Sequence, residues 1–202
     1  MDRLDRVLPT AAPLLCRVDE LLAAGGAPAD HHVWAELRRV RLLPGDAARS
    51  VAVLRPEELL EAAPSLRGNA RAYAALATSL PGPGEWTGAA AEAYDVVRRR
   101  TAGHLSGGEE SLDARLEASA DLADGLVAWM RGSRDAVADA LARALSSTEA
   151  VLLAESKADL SSSRELDAAA EVGALVLRAV ADGCATGADL LRDSADLETT
   201  DL

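Results

Sequence analysis

Phenylalanine is missing from the 202-residue chain, and the other aromatics amount to three Trp and two Tyr. β-Branched residues are also few, whereas roughly a fifth of the chain is Ala and Leu is abundant, a usage that favours helix and argues against an extensive sheet. Lysine is represented by Lys157 alone, so basic charge is carried by Arg. Together with the Ala and Asp content, that is the usage of a high-GC bacterial genome. Cysteine occurs twice, as Cys16 and Cys184 near opposite ends, with no metal-ligand spacing. Both are expected to be small buried apolar residues; a disulfide between them would need an oxidising compartment. No apolar run reaches the length of a bilayer span, and Met1-Asp2-Arg3-Leu4-Asp5-Arg6 does not open a general-pathway signal peptide.

The formal net charge is −12. Such a surplus repels phosphate backbones and anionic membrane surfaces, so nucleic acid is not an expected partner. The two basic concentrations, Arg38-Arg39-Val40-Arg41 and Arg98-Arg99-Arg100, are read as local salt-bridge partners for surplus carboxylates.

What is present is apolar periodicity at helical spacing. Leu4, Val7, Leu8, Leu14, Leu15, Val18, Leu21 and Leu22 mark a first helix, split in two by Pro9 and Pro13, that stops at Gly25-Gly26. A second starts at an Asp30 cap, carries Val33, Trp34, Leu37 and Val40 on one face, and ends at Leu43-Pro44-Gly45-Asp46 before a connector through Leu54. Pro56-Glu57-Glu58 opens a third, with Pro64 kinking or restarting it, and Leu66, Ala70, Tyr73, Ala77 and Leu80 share its face. Pro81-Gly82-Pro83-Gly84 is the strongest break in the chain.

A further helix runs from Gly88 to about Leu105, and Ser106-Gly107-Gly108-Glu109 supplies a capping-box pattern for the next. That next segment is the cleanest amphipathic one, with Leu112, Leu116, Leu126, Met130, Val137 and Leu141 on one stripe, and it extends past Val151 toward Lys157. Ser161-Ser162-Ser163-Arg164-Glu165 caps the last helix, whose stripe of Leu166, Gly173, Leu177, Val180, Cys184 and Gly187 admits close approach of a neighbour. The polar tail after Leu191 is expected to fray.

Chemistry is thinly represented. His31 and His32 are adjacent and His104 is remote, so no pair has the i, i+4 spacing of a helical zinc site; they are read as exposed histidines near helix ends, and no metal or cofactor is expected. The Gly-rich pieces lack the strand and lysine of a phosphate loop. Carboxylates fall on solvated faces among Arg, so no catalytic pair stands out. Trp34 and Trp129 read as core or interface anchors. The chain is not expected to be an enzyme.

The informative stretch is Pro81-Gly82-Pro83-Gly84-Glu85-Trp86-Thr87-Gly88, with Glu92-Ala93-Tyr94 two helical turns on. Trp86 can plug the end of a helical hairpin, Gly88 can let the backbone pass beneath it, and Tyr94 falls on the inward face of the second arm. At these residues the sequence resembles the WXG superfamily, the helical-hairpin proteins of type VII (ESX) secretion in actinobacteria and firmicutes. The resemblance is strongest from Leu66 to Thr101 and extends loosely from Pro56 to Leu145. It implies a hairpin pairing with itself or with another WXG-like protein into a four-helix bundle, contact with type VII secretion components, and export in folded form. The chain is longer than typical members, and the family's export signal, Tyr followed four residues later by an acidic residue, is missing: Ala77 follows Tyr73 and Arg98 follows Tyr94 at that offset.

The expected fold is therefore all-α, an antiparallel bundle on a long helix-turn-helix hairpin, with segments 1–50, a hairpin region 51–146, and 147–202 packed as one domain. Trp86, Gly88 and Tyr94 form the turn, and Leu112, Leu116, Leu126, Met130, Val137, Leu141, Leu166, Leu177 and Val180 an interface seam. The expected work is non-catalytic association, outside the cell by type VII export or in the cytoplasm. A cytoplasmic adaptor or chaperone-like protein is the main alternative, and a helical nucleic-acid regulator a poorer one.

Overall fold

The computed structural model describes residues 2–155 and 162–199, leaving the side chains of 196–199 undescribed. Every regular element among them is helical. In chain order these are α1 (Arg3–Gly25), α2 (Val33–Val40), α3 (Pro44–Ala52), a 3₁₀ turn (Pro56–Leu59), α4 (Ala62–Ser79), α5 (Ala89–Leu105), α6 (Leu112–Leu145), α7 (Thr148–Glu155) and α8 (Ser163–Thr199). The all-α class is as the composition requires.

Several boundaries differ from the sequence reading for local reasons. Pro9 and Pro13 sit inside a single continuous α1, on its exposed side, while Leu4, Ala11, Leu15, Val18, Leu21 and Leu22 bury the other face. Burial of that stripe outweighs two missing backbone donors. The segment read as a stop and connector is helix α3, for which Pro44 is the first residue. Helix α2 starts at Val33, not at an Asp30 cap, and the Val33 N–H donates to His31 Nδ1 at 3.1 Å. Pro56 opens only a 3₁₀ turn, and Pro64 lies in the first turn of α4.

Ser106 and Glu109 precede α6 by several residues rather than capping it. Helix α6 ends at Leu145, where Ser146 and Ser147 turn their hydroxyls back onto the carbonyls of Ala142, Arg143 and Ala144. Ser147 Oγ then accepts from Ala150 N at 3.1 Å to start α7. The expected continuation toward Lys157 lies outside the described residues. The serine cap of α8 is Ser162, whose N–H donates to Glu165 Oε2 at 2.7 Å while Glu165 N donates back to Ser162 Oγ at 3.3 Å. Helix α8 continues past Leu191 to Thr199.

Contacts divide the chain into two units, 1–55 with 128–202, and 56–127. The second half of α6, expected in the hairpin region, belongs with the chain ends because Val137 and Leu141 are fully buried among α1 and α8 side chains. In this first unit α1, α2, α3 and α7 all pack on α8. Leu4, Leu15, Val18, Leu21, Val33, Val176 and Leu177 fill the centre.

Small residues set the spacing. A methyl group on Gly187 would meet the Trp129 ring at 2.7 Å, and one on Gly183 would meet Ser133 Oγ at 2.9 Å. Trp129 Nε1 donates to Gly183 O at 2.7 Å, so indole and helix backbone are in direct contact. Buried Glu36 of α2 accepts from Arg39 at 2.8 Å and from Arg178 of α8 at 3.3 Å, and Arg39 also reaches Asp182 at 3.0 Å.

The strongest polar anchor is Arg134, 3% exposed on α6. Its guanidinium donates to Asp2, to Asp5 at 2.7 Å, and to the carbonyls of Ala52 at 2.6 Å and Leu54 at 3.0 Å. Asp2 simultaneously caps α1 in a capping box with Asp5. The Arg134 hydrogen bond dominates in holding the Asp2 carboxyl down to about 2, against a desolvation that pushes it up.

Two outcomes are expected. Arg134→Ala lowers the unfolding free energy by about 3 kcal/mol, because two buried-end carbonyls and two carboxylates lose their shared donor, and urea titration measures it. The Asp2 contribution is fully present above the unfolded carboxyl value of 3.8 and is lost as pH falls through about 2, so the wild type loses stability across that interval. The Arg134→Ala variant shows a shallower acid slope. Second, Gly187→Val costs about 2 kcal/mol through overpacking against Trp129. Gly132→Ala, where nothing lies within 4 Å of the new methyl, gains about 0.5–1 kcal/mol of helix propensity.

Candidate association surface

The second unit has an unusual interior. Its buried apolar side chains among the described residues are Ala63, Ala70, Ala77, Ala91, Ala120, Ala123, Val127 and the ring of Pro56. Ala63, Ala70 and Ala77 repeat at seven residues along α4, and Ala63, Ala120 and Ala123 form one cluster with Ala62 and Leu66 against it. Alanine methyls let helices approach closely but bury little area. Arg67 adds a polar tie from α4 to α6, reaching Asp121 at 2.6 Å, Asp124 at 2.7 Å and Glu117 at 3.5 Å.

Val127 is the one large apolar side chain buried in full there among the described residues, Leu66 packs half-buried against the cluster, and several others lie at the surface. Leu60, Tyr73, Leu76, Trp86, Val96, Val97 and Leu112 are all exposed. The face read from sequence as Leu66, Ala70, Tyr73, Ala77 and Leu80 therefore splits: the two alanines turn inward, Leu66 and Leu80 are half-buried, and Tyr73 turns out with Leu76. Sequence spacing could not separate two stripes that interleave on one helix.

Helices α4 and α5 pack on each other across the turn. Leu80 ends α4 in extended backbone, Gly84 takes φ +61°, and Trp86 N donates to Pro83 O at 3.1 Å. Gly88 is the N-cap of α5 at φ +88°, ψ −173°, a region essentially restricted to glycine. A methyl there would meet nothing within 4 Å, so Gly88 is required by its backbone angles and not, as expected, by a chain passing close to Trp86.

Trp86 does not plug the hairpin. Its side chain is 65% exposed and sits edge-on to Tyr94, ring centroids 5.8 Å apart with planes at 62°. Tyr94 is half-buried and donates its hydroxyl to Pro81 O at 2.8 Å, pinning the first turns of α5 to the loop. The motif thus builds a rigid platform that displays an indole.

The expected seam is mostly not free. Val137, Leu141, Leu177 and Val180 are core of the first unit, and Leu166 packs against that core. Leu116, Leu126 and Met130 are half-buried, and only Leu112 is exposed. Cys16 and Cys184 are exposed free thiols, against the buried reading. His31 is largely buried, whereas His32 and His104 are exposed. Arg98 and Arg99 pair with Asp95 at 2.7 and 3.0 Å, and their hydrogen bond and charge hold its carboxyl below the usual range. Trp34 Nε1 donates to Pro28 O at 2.9 Å, an anchor within the first unit.

Fold and site together define an all-α protein carrying a glycine-framed aromatic turn. Comparison with family models, with characterised proteins and with solved structures gives no match. No helix among the described residues is long and apolar enough to cross a membrane.

Substitution at the turn separates framing from display. Gly88→Ala is expected to destabilise the second unit by about 1–2 kcal/mol and Tyr94→Phe by about 1 kcal/mol. Trp86→Ala leaves helical circular dichroism and melting nearly unchanged. Hydrogen exchange of α4 and α5 amides checks all three.

Proposed function

We propose that this protein is a non-catalytic association module of the WXG type, which pairs through the outer face of the α4–α5 hairpin with a second copy or another WXG-like helical protein. The observation that carries the reading is the layout of the second unit: its fully buried apolar side chains are nearly all alanines, while Trp86, Tyr73, Leu76, Val96 and Val97 are exposed. Exposed apolar side chains in such number on one small unit mark an interaction site. A few hundred Å² buried there at about 25 cal/mol per Å² contributes several kcal/mol before association entropy is subtracted.

Support for the WXG assignment is the turn itself, Trp86-Thr87-Gly88 between two helices with Tyr94 following. In this reading the hairpins assemble into an antiparallel four-helix bundle, and the chain is a substrate or partner of type VII secretion. Because neither Tyr73 nor Tyr94 is followed by an acidic residue at the signal offset, the partner carries the export signal. A protein that stays in the cytoplasm as an adaptor uses the same face, and the missing signal favours that second reading.

Light scattering on the purified chain tests pairing. The expected result is a dimer, or a heterodimer on mixing with a small WXG-like protein. Trp86→Ala with Val97→Asp weakens pairing by about 2 kcal/mol or more without loss of helicity. A wild-type monomer that pairs with neither, and is indifferent to both substitutions, overturns the proposal.

A further inference from the structure

The fold of the first unit brings Glu171 to the adjacent pair His31 and His32, 140 residues from the first of them. His31 Nε2 is 3.2 Å from Glu171 Oε1, and His32 Nε2 is 3.9 Å from Glu171 Oε2. One donor atom from each of the three residues lies within 4.8 Å of the other two. His31 and His32 come from the turn before α2, and Glu171 from α8. Both carboxylate oxygens face imidazoles, and among the described residues no arginine pairs with them. Helical i, i+4 spacing could not reveal the set, because its third member arrives through tertiary packing.

We propose that His31, His32 and Glu171 bind a first-row divalent cation, with Zn²⁺ the best match to two imidazole nitrogens and one carboxylate oxygen, water completing the coordination. The ion would tie the α1–α2 turn to α8. The resting geometry also sets how tightly. The two rings are stacked, with centroids 4.3 Å apart and planes at 24°, so their in-plane lone pairs run nearly parallel and the half-exposed His32 ring must turn toward the ion.

His31 sets a second limit. Its Nδ1 accepts from Val33 N–H, which places the ring proton on Nε2, where it points at Glu171. Loading moves that proton to Nδ1 and leaves the N–H of fully buried Val33 without its acceptor, a further cost. A ligating imidazole normally gives its other N–H to an acceptor, and lacking one lowers affinity about 10–100-fold. The site is therefore a weak, reversible one, filled when zinc is supplied and emptied by chelator.

The test is zinc titration of the tag-free full chain, followed by calorimetry and by melting temperature with and without EDTA. One equivalent is expected to bind and to raise the melting temperature reversibly. Glu171→Gln keeps an acceptor for His31 and leaves the fold intact, and His32→Ala removes an exposed ring; each weakens zinc binding about tenfold or more. Circular dichroism of the zinc-free variants verifies folding. The proposal is overturned if free zinc at about 1 mM leaves the melting temperature at its EDTA value, since even a millimolar Kd would half-fill the site there. Wild-type affinity in either variant overturns it equally.

Discussion

Arg134 holds a full positive charge where almost no water reaches it, and that constraint ties the start of α1 and the exit of α3 to the middle of α6. A buried guanidinium has five donors to satisfy, and carboxylates or carbonyls must be brought to it. Asp2 and Asp5 come from the first turn of α1, and the Ala52 and Leu54 carbonyls from the exit of α3. Because Asp2 is also the α1 N-cap, one carboxylate fixes both where the helix starts and where it docks. A lysine, with a single ammonium, could not span four acceptors in a plane. The apolar contacts of Leu4 and Val137 then form between elements whose register the guanidinium has already restricted.

Around this anchor the first unit packs by making room for bulk. Trp129 lies against Gly183 and Gly187, and Gly173 stands where a methyl would meet Leu22 and Pro44 at 3.1 Å. Large rings fit there only because the opposing helix offers bare backbone. The second unit lacks this alternation of large and small. Alanine faces alanine, so its helices approach closely yet remove little apolar surface from water, and its ordered charge, Arg67 against three carboxylates, is exposed and of modest worth.

The helical class, the breaks at Gly25-Gly26 and Pro81–Gly84, and the glycine positions in α8 were legible because they rest on local propensity and spacing. Helix α3 was not, since Pro44-Gly45 is stop chemistry in isolation. It became a helix start because Gly45 N–H donates to Asp19 of α1 at 3.0 Å. Pro9 and Pro13 likewise misled, because the stripe that keeps α1 whole is buried by partners far along the chain. In the candidate site, the identities of Trp86, Gly88 and Tyr94 were readable, but their roles were not. Whether an indole plugs or is displayed depends on the room that the packed arms leave beneath it, which local spacing does not carry. The His31, His32 and Glu171 grouping carries no sequence signal.

The alanine interior bears on why the outer residues are what they are. A helix of eighteen residues such as α4 gains little from propensity alone in water, and its stability comes from the face it buries. Here that face is lined by Ala63, Ala70 and Ala77, while Tyr73 and Leu76 of α4, and Val96 and Val97 of α5, are exposed. An isolated domain selected only for stability would place them the other way round, because each large side chain moved inward would contribute about 1.5–3 kcal/mol. The association proposed above accounts for their placement, because pairing would take these side chains out of water. Trp86 belongs to the same layout: its edge-on contact with Tyr94, whose hydroxyl donates to Pro81 O, sets how the indole is presented at the turn.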